Sequence, residues 1–211
     1  MFLNYAVFEN TAAFAATNRQ PEFGPLRKVY PDSATAHPHL FRRVAVPGIC
    51  VGEQDGAVEQ EGAVEREATP QDGGLQHVEL DPTCPLQQQY ADPTGRATIL
   101  VNLFDVDPAD QDRFRAAWRA DAKFFKAQPG YVSAQLHQGL EGSRLFLNYA
   151  VFENTAAFAA TNDQPEFGPL RKVYPSSATA HPHLFRRVSI PGVCVGEENR
   201  HERDPSKSRD G

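Results

Sequence analysis

RLFLNYAVFENTAAFAATN, residues 144–162, decides how this chain folds. Its first half, RLFLNYAVFE (144–153), is a short run rich in aromatic and apolar residues and reads as a strand. Asn154 then offers an N-cap to the Ala-rich helix TAAFAAT. Downstream, a break at Gln164-Pro165 precedes a short helical piece, PLRKVY (169–174). PHLFRRVSIPGVCV (182–195) reads as a further strand with an extension. Upstream, ATILVNLF (97–104) is a strand, and Asp107-Pro108 opens a helix as N-cap and first residue. In that helix Phe114, Trp118, Ala122 and Phe125 form one apolar stripe. Pro129-Gly130 ends it, YVSAQLHQGL (131–140) is the second strand, and EGS (141–143) is a tight turn. The order β-α-β-β-α-β predicts an α+β, ferredoxin-like domain over residues 96–197. Its strands are apolar on both sides, so the face away from the helices needs cover as well.

The deciding stretch lies inside a repeat. Residues 2–53 recur at 146–197 with five differences in 52 positions: Arg19/Asp163, Asp32/Ser176, Ala45/Ser189, Val46/Ile190 and Ile49/Val193. Only the second copy is preceded by a strand–helix–strand half. Residues 1–53 are therefore expected to be a half-domain holding the third strand, second helix and fourth strand. Met1 aligns with Leu145 and is the only methionine. A start inside a longer two-domain protein is one expectation, and a genuine partial duplication is the other. An in-frame stop just upstream of Met1 would exclude the first.

Two copies compete for one complement. The second reaches it through a turn of a few residues, the first through the long segment 54–95. Loop closure favours the second copy by roughly 2 kcal/mol. The first is left with apolar surface and open strand edges, a candidate for docking on the free sheet face or for pairing between molecules.

The formal charge is −6, but nine carboxylates and one arginine in 54–95 account for −8, leaving the rest at +2. No basic footprint for nucleic acid follows. Segment 54–95 is rich in Gln, Glu, Gly and Pro and reads as an acidic flexible linker, and residues 198–211 read as a disordered tail. There is neither an apolar run of membrane length nor a signal-peptide pattern, so a cytoplasmic, membrane-free protein is expected. Cys50 and Cys194 are repeat equivalents and Cys84 stands apart, with no CxxC spacing for zinc.

Several residues invite chemistry. His137, in the second strand and in phase with Tyr131, Ser133 and Gln135, is a candidate base near neutrality. His181-Pro182-His183 has no neighbouring carboxylate and reads as a strand-entry loop rather than a metal site. VNLF in the first strand, PGYVSAQLH, NYAVFEN, and PEF followed by a basic residue and YPSS stand in an order that resembles the antibiotic biosynthesis monooxygenase family of small dimeric α+β barrels. The resemblance covers about 100 of 211 residues and the half-copy.

It implies oxidation of a small phenolic, polyketide-like substrate by dioxygen with no cofactor and no metal. The protein would supply a dry pocket and groups that hold an oxyanion. It carries the family's strand asparagine onto Asn148 and a basic residue onto Arg171 as catalytic candidates beside His137. Asn102, Trp118, Tyr131, Phe152 and Phe158 would contact substrate. Phe152 stands where the family has Trp and Phe158 where it has Tyr, so two polar handles are missing. Asn102 also matches haem-degrading relatives, but Leu170 and Arg171 stand where those have an iron-binding histidine, which argues against haem cleavage. The partners implied are a small aromatic substrate and dioxygen, with a homodimer or intramolecular pairing with the half-copy. The competing reading is a non-catalytic ligand-binding or assembly module of the same fold.

Overall fold

The computed structural model describes residues 1–46, 48–50 and 74–190. In chain order the elements are α1 (Thr11–Asn18), α2 (Phe23–Arg27), β1 (Phe41–Val44), β2 (Gln76–His77), α3 (Leu86–Gln89), β3 (Thr98–Asp105), α4 (Gln111–Lys126), β4 (Tyr131–Gly139), β5 (Leu145–Phe152), α5 (Thr155–Asn162), α6 (Phe167–Arg171) and β6 (Thr179–Phe185).

The last four strands with α4 to α6 form the expected β-α-β-β-α-β unit. Their sheet order is β4-β5-β3-β6, every pair antiparallel. β5 is central because β3 and β4 both pair along it, and Asn102 lies opposite Asn148 in that register. Alternation then fixes the faces. Leu100, Asn102, Phe104, Asn148, Ala150 and Phe152 share the helix side, where the core around Phe114, Trp118, Phe146, Phe158 and Tyr174 is buried.

Local chemistry explains the boundaries. Asp107 accepts from the Ala109 amide and Pro108 starts a 3-10 turn that leads into α4. Asn154 accepts from the Ala157 amide at the head of α5. Glu141 and Gly142 take positive φ (54° and 73°) in the β4–β5 turn. At Gly130 (φ 79°) an added Cβ would lie 2.5 Å from the Ala157 methyl, so only glycine lets β4 start so close to α5.

Two expected boundaries change. The fourth strand starts at Thr179, before Pro182, which sits inside it opposite Asn102. Proline is tolerated there because even-numbered amides of β6 point away from β3: the Leu184 amide donates outward to Gln89 Oε1. The short helical piece is Phe167–Arg171, earlier than expected.

Segment 54–95 is not uniformly a flexible linker. Its residues 74–94 are placed against the domain: β2 runs parallel to β6, and Leu86 of α3 is buried. Scattered anchors, Leu75, Leu86 and Tyr90, are diluted in a polar composition average but suffice to dock it. Residues 54–73 of that segment and the tail 198–211 lie outside the described residues.

The first repeat copy does not form the expected half-domain. Residues 2–9 are not a strand, although their twin 146–153 spans β5. With no strand beside them their amides have no ladder to join. Only β1 enters the sheet, antiparallel on the outer edge of β4, while Tyr5 stacks on Tyr149 across the sheet's other face. Among the described residues no helix is long and apolar enough to cross a membrane.

Candidate functional site

Between the sheet and α4–α6 lies a cavity whose walls are aromatic and whose few polar atoms converge. Phe152 and Phe158 meet edge to face at 5.2 Å, Tyr131 packs edge-on to Phe152, and Trp118 and Phe125 close the α4 side. Leu75, His77 and Leu86 line it from the segment before the domain. All five residues expected to contact substrate, Asn102, Trp118, Tyr131, Phe152 and Phe158, line this space, as do Asn148 and Arg171.

The polar inventory is small and uncommitted. Asn102 Oδ1 and Asn148 Oδ1 are buried with no hydrogen-bond partner among the described residues, and so is the Tyr131 hydroxyl. Leaving a buried polar atom unpaired costs free energy, which a ligand's own donors or acceptors would recover. Burial pushes the Tyr131 phenol up to about 12, so it is a donor, not a base, near neutrality. Arg171 sits at the rim, exposed. Its guanidinium lies 4.8 Å from the Phe167 ring centre and donates to Asn162 Oδ1 at 3.3 Å.

His137 is not in this cavity. A β-bulge between Tyr131 and Ser133 shifts the phase of β4. Tyr131, Ala134 and Leu136 therefore share the helix side, while Ser133, Gln135 and His137 face the other way. Its Nε2 meets the Tyr5 hydroxyl at 2.9 Å and its Nδ1 the Leu147 carbonyl at 3.3 Å. Burial lowers its pKa. Uninterrupted alternation put His137 in phase with Tyr131, and one inserted residue undoes that. His183 is likewise engaged outside the cavity, with Gln89 at 2.9 Å. No cluster of metal-ligating side chains occurs among the described residues.

A carboxyl group also faces the cavity, that of Asp121, which the sequence reading passed over. Its Oδ2 accepts a 2.8 Å hydrogen bond from the Tyr174 hydroxyl, and its Oδ1 is buried without a partner among the described residues. Burial raises its carboxyl to about 7, against the pull of Tyr174 and of the Arg171 charge. The signal was legible: Asp121 stands three residues after Trp118 and seven after Phe114, on the apolar stripe where a carboxylate is out of place.

Residues 98–172 match the family model described as antibiotic biosynthesis monooxygenase. The match spans 75 of the chain's 211 residues. Among solved structures, it is similar to SnoaB, a cofactor-independent oxygenase from Streptomyces nogalater. There the identity is 28%, over 46% of this chain and 98% of that one, with a TM-score of 0.41. A protein from Shewanella loihica PV-4 is 26% identical over 45% of this chain and 97% of its own, with a TM-score of 0.38. Curated proteins offer no match.

Proposed function

We propose that the antibiotic biosynthesis monooxygenase domain of this chain oxidises a small phenolic substrate with dioxygen, using no cofactor. The observation that carries the reading is one aromatic cavity lined by Asp121, Asn102 and Asn148, each with a buried oxygen that no described residue engages. Its chemistry suits a substrate that supplies its own electrons. A methylene activated by flanking phenolic rings gives a proton to Asp121 Oδ1. The resulting carbanion, its charge delocalised onto a phenolic oxygen, passes electrons to dioxygen and forms a peroxide at that carbon. Loss of water leaves a carbonyl, so CH2 and O2 become C=O and H2O.

Tyr174 holds the Asp121 carboxylate in place, and a base near pH 7 suits the operating range. The side-chain amides of Asn148 and Asn102 offer donors to the phenolic oxyanion, with Arg171 at the rim as the nearby positive charge. The Phe152 and Phe158 rings give flat apolar walls and no competing hydrogen bond.

The test is oxygen uptake by the full chain with an anthrone, in the presence of a chelator. Uptake is expected to rise with pH through about 7, because the base must be ionised. Asp121→Asn should lower the rate at least 100-fold, roughly the low end for losing a general base. Asn148→Ala should lower it by about 10 to 100-fold. Uptake no faster than the spontaneous reaction would favour the ligand-binding module, and uptake untouched by both variants would move the chemistry out of this cavity.

A further inference from the structure

We propose that His77, held by Glu79, is a specificity-determining residue at the mouth of the aromatic cavity, where its Nδ1 accepts a hydrogen bond from a hydroxyl on the outward end of a phenolic substrate. The inference rests on the reading of the cavity as a phenol site. It adds a part of that site that lies outside the family match, residues 98–172.

The matched domain does not close this cavity by itself. Leu75, His77 and Leu86 supply one wall, and all three precede residue 98. Backbone hydrogen bonds lay the segment along α6 and β6. The Leu75 amide donates to the Arg171 carbonyl at 3.1 Å, Gln76 to Ala178 at 3.0 Å and Val78 to Ala180 at 2.9 Å. Alternation along this stretch sends Leu75 and His77 to the cavity, while the Gln76 side chain donates to the Ser176 carbonyl at 3.0 Å. Gln89 fastens the other end. Its Oε1 accepts from the Leu184 amide at 2.7 Å, and its Nε2 donates to the Cys84 carbonyl at 2.7 Å. Leu86 is buried, and Tyr90 meets Phe158 edge to face at 5.7 Å, so the segment packs on the aromatic shell.

His77 is the polar side chain of that wall, and Glu79 is its positioning residue. Glu79 Oε2 accepts from the Leu86 amide at 2.9 Å, and Oε1 lies 3.3 Å from His77 Nε2. A carboxylate only accepts, so in the neutral ring the proton sits on Nε2 and Nδ1 is left as an acceptor. An acceptor selects a donor: a phenolic hydroxyl satisfies it and an ether oxygen does not. The His77 side chain is 37% exposed, which puts it where the outer end of a bound molecule emerges. The inner end meets Asn102, Asn148 and Asp121, each with a buried oxygen that no described residue engages. An aromatic substrate oxygenated at both ends fits this layout.

The experiment is calorimetric titration of the full chain at pH 8 under nitrogen. The probes are 2,6-dihydroxynaphthalene and its monomethyl ether. Neither has a methylene to oxidise, so binding is read apart from turnover. The wild-type chain is expected to bind the diol about 10-fold more tightly than the ether, the upper range for one neutral hydrogen bond. His77→Ala should cut that ratio about fivefold. Glu79→Gln can turn an amide N–H toward the ring and move the ring proton to Nδ1, so the ether should then bind at least as tightly as to wild type. A merely structural role for Glu79 would weaken both probes together, and that result overturns the proposal. So does a His77→Ala ratio within about twofold of wild type, or a wild-type chain that binds neither probe. An intact ratio beside oxygen uptake no faster than the spontaneous reaction counts against the oxidation chemistry and upholds the contact at the mouth.

Discussion

The octapeptide TAAFAATN occurs twice, and its two copies separate what sequence does locally from what context does. As α1 and α5 both are capped by an asparagine that accepts from the third residue's amide at 2.9 Å. In both, the threonine near the end donates to the carbonyl four residues back at 3.0 Å. Yet α5 buries Thr155, Phe158 and Thr161, and α1 buries nothing. The preceding segment diverges further: 146–152 is strand and 2–8 is not. A cap is satisfied within four residues, so it travels with the sequence. A strand needs a neighbour, and among the described residues no strand pairs with 2–8.

The sharpest way to break this contrast is to cut the same atom set from both copies. Phe158→Ala should cost about 3–5 kcal/mol in denaturant unfolding, the range for a buried phenylalanine. Its twin Phe14→Ala, resting only partly buried on Phe8, should cost less than about 1 kcal/mol. Equal losses would mean that the first copy is packed as tightly as the second.

The tyrosine twins come next. Tyr174 is 1% exposed and bonded to Asp121, and Tyr30 is 69% exposed. Tyr174→Phe should cost about 1–3 kcal/mol, and Tyr30→Phe nothing measurable. A pH signature accompanies the first. Asp121 titrates near 7 in the fold against 3.8 ordinarily. Between those values the folded state keeps a proton that the unfolded chain has lost, so this group's contribution is full below the lower value and is lost as pH rises through the upper. Asp121→Asn should therefore unfold at about the wild-type temperature at pH 4 and later than wild type at pH 8, by roughly 2–4 kcal/mol.

The same contrast explains which parts of the molecule were legible in the sequence. The element order and both asparagine or aspartate caps of the domain follow from periodicity and short-range chemistry, and they stand where expected. What was missed depends on partners distant in sequence. The bulge beside Val132 turned His137 away from the cavity, and alternation has no way to register one inserted residue. Leu75 and Leu86 are isolated apolar residues in a polar stretch, and only the cavity they line reveals them as anchors. Asp121 was visible as a carboxylate on an apolar stripe, but its meaning required Tyr174, 53 residues away.

Smaller effects probe the shared local chemistry. Asn154→Ala should cost about 1 kcal/mol as a lost cap, and Asn10→Ala, on a helix that buries nothing, should leave global unfolding unchanged. Helical content of the two variants distinguishes fraying of α1 from no effect at all. A global loss from Asn10→Ala would show that α1 is coupled to the domain core.

The weakest link is where the two copies touch. Tyr5 stacks on its own twin, Tyr149, with centroids 5.3 Å apart, and its hydroxyl meets His137 Nε2. Tyr5→Phe keeps the stack and removes the hydrogen bond, so a loss of about 0.5 kcal/mol is expected at pH 8. Burial holds His137 below the usual imidazole range. Between its folded and unfolded values the unfolded chain binds the extra proton. The neutral ring's contribution is thus present above pH 6.5 and is lost as pH falls through the folded value. His137→Asn should flatten the decline in unfolding temperature between pH 7 and pH 5. If the decline persists unchanged, the burial at this seam is looser than Tyr5 and Leu147 make it, and the first copy's hold on the sheet rests on the β1 ladder and the buried side chains of Val46, Ile49 and Cys50 alone.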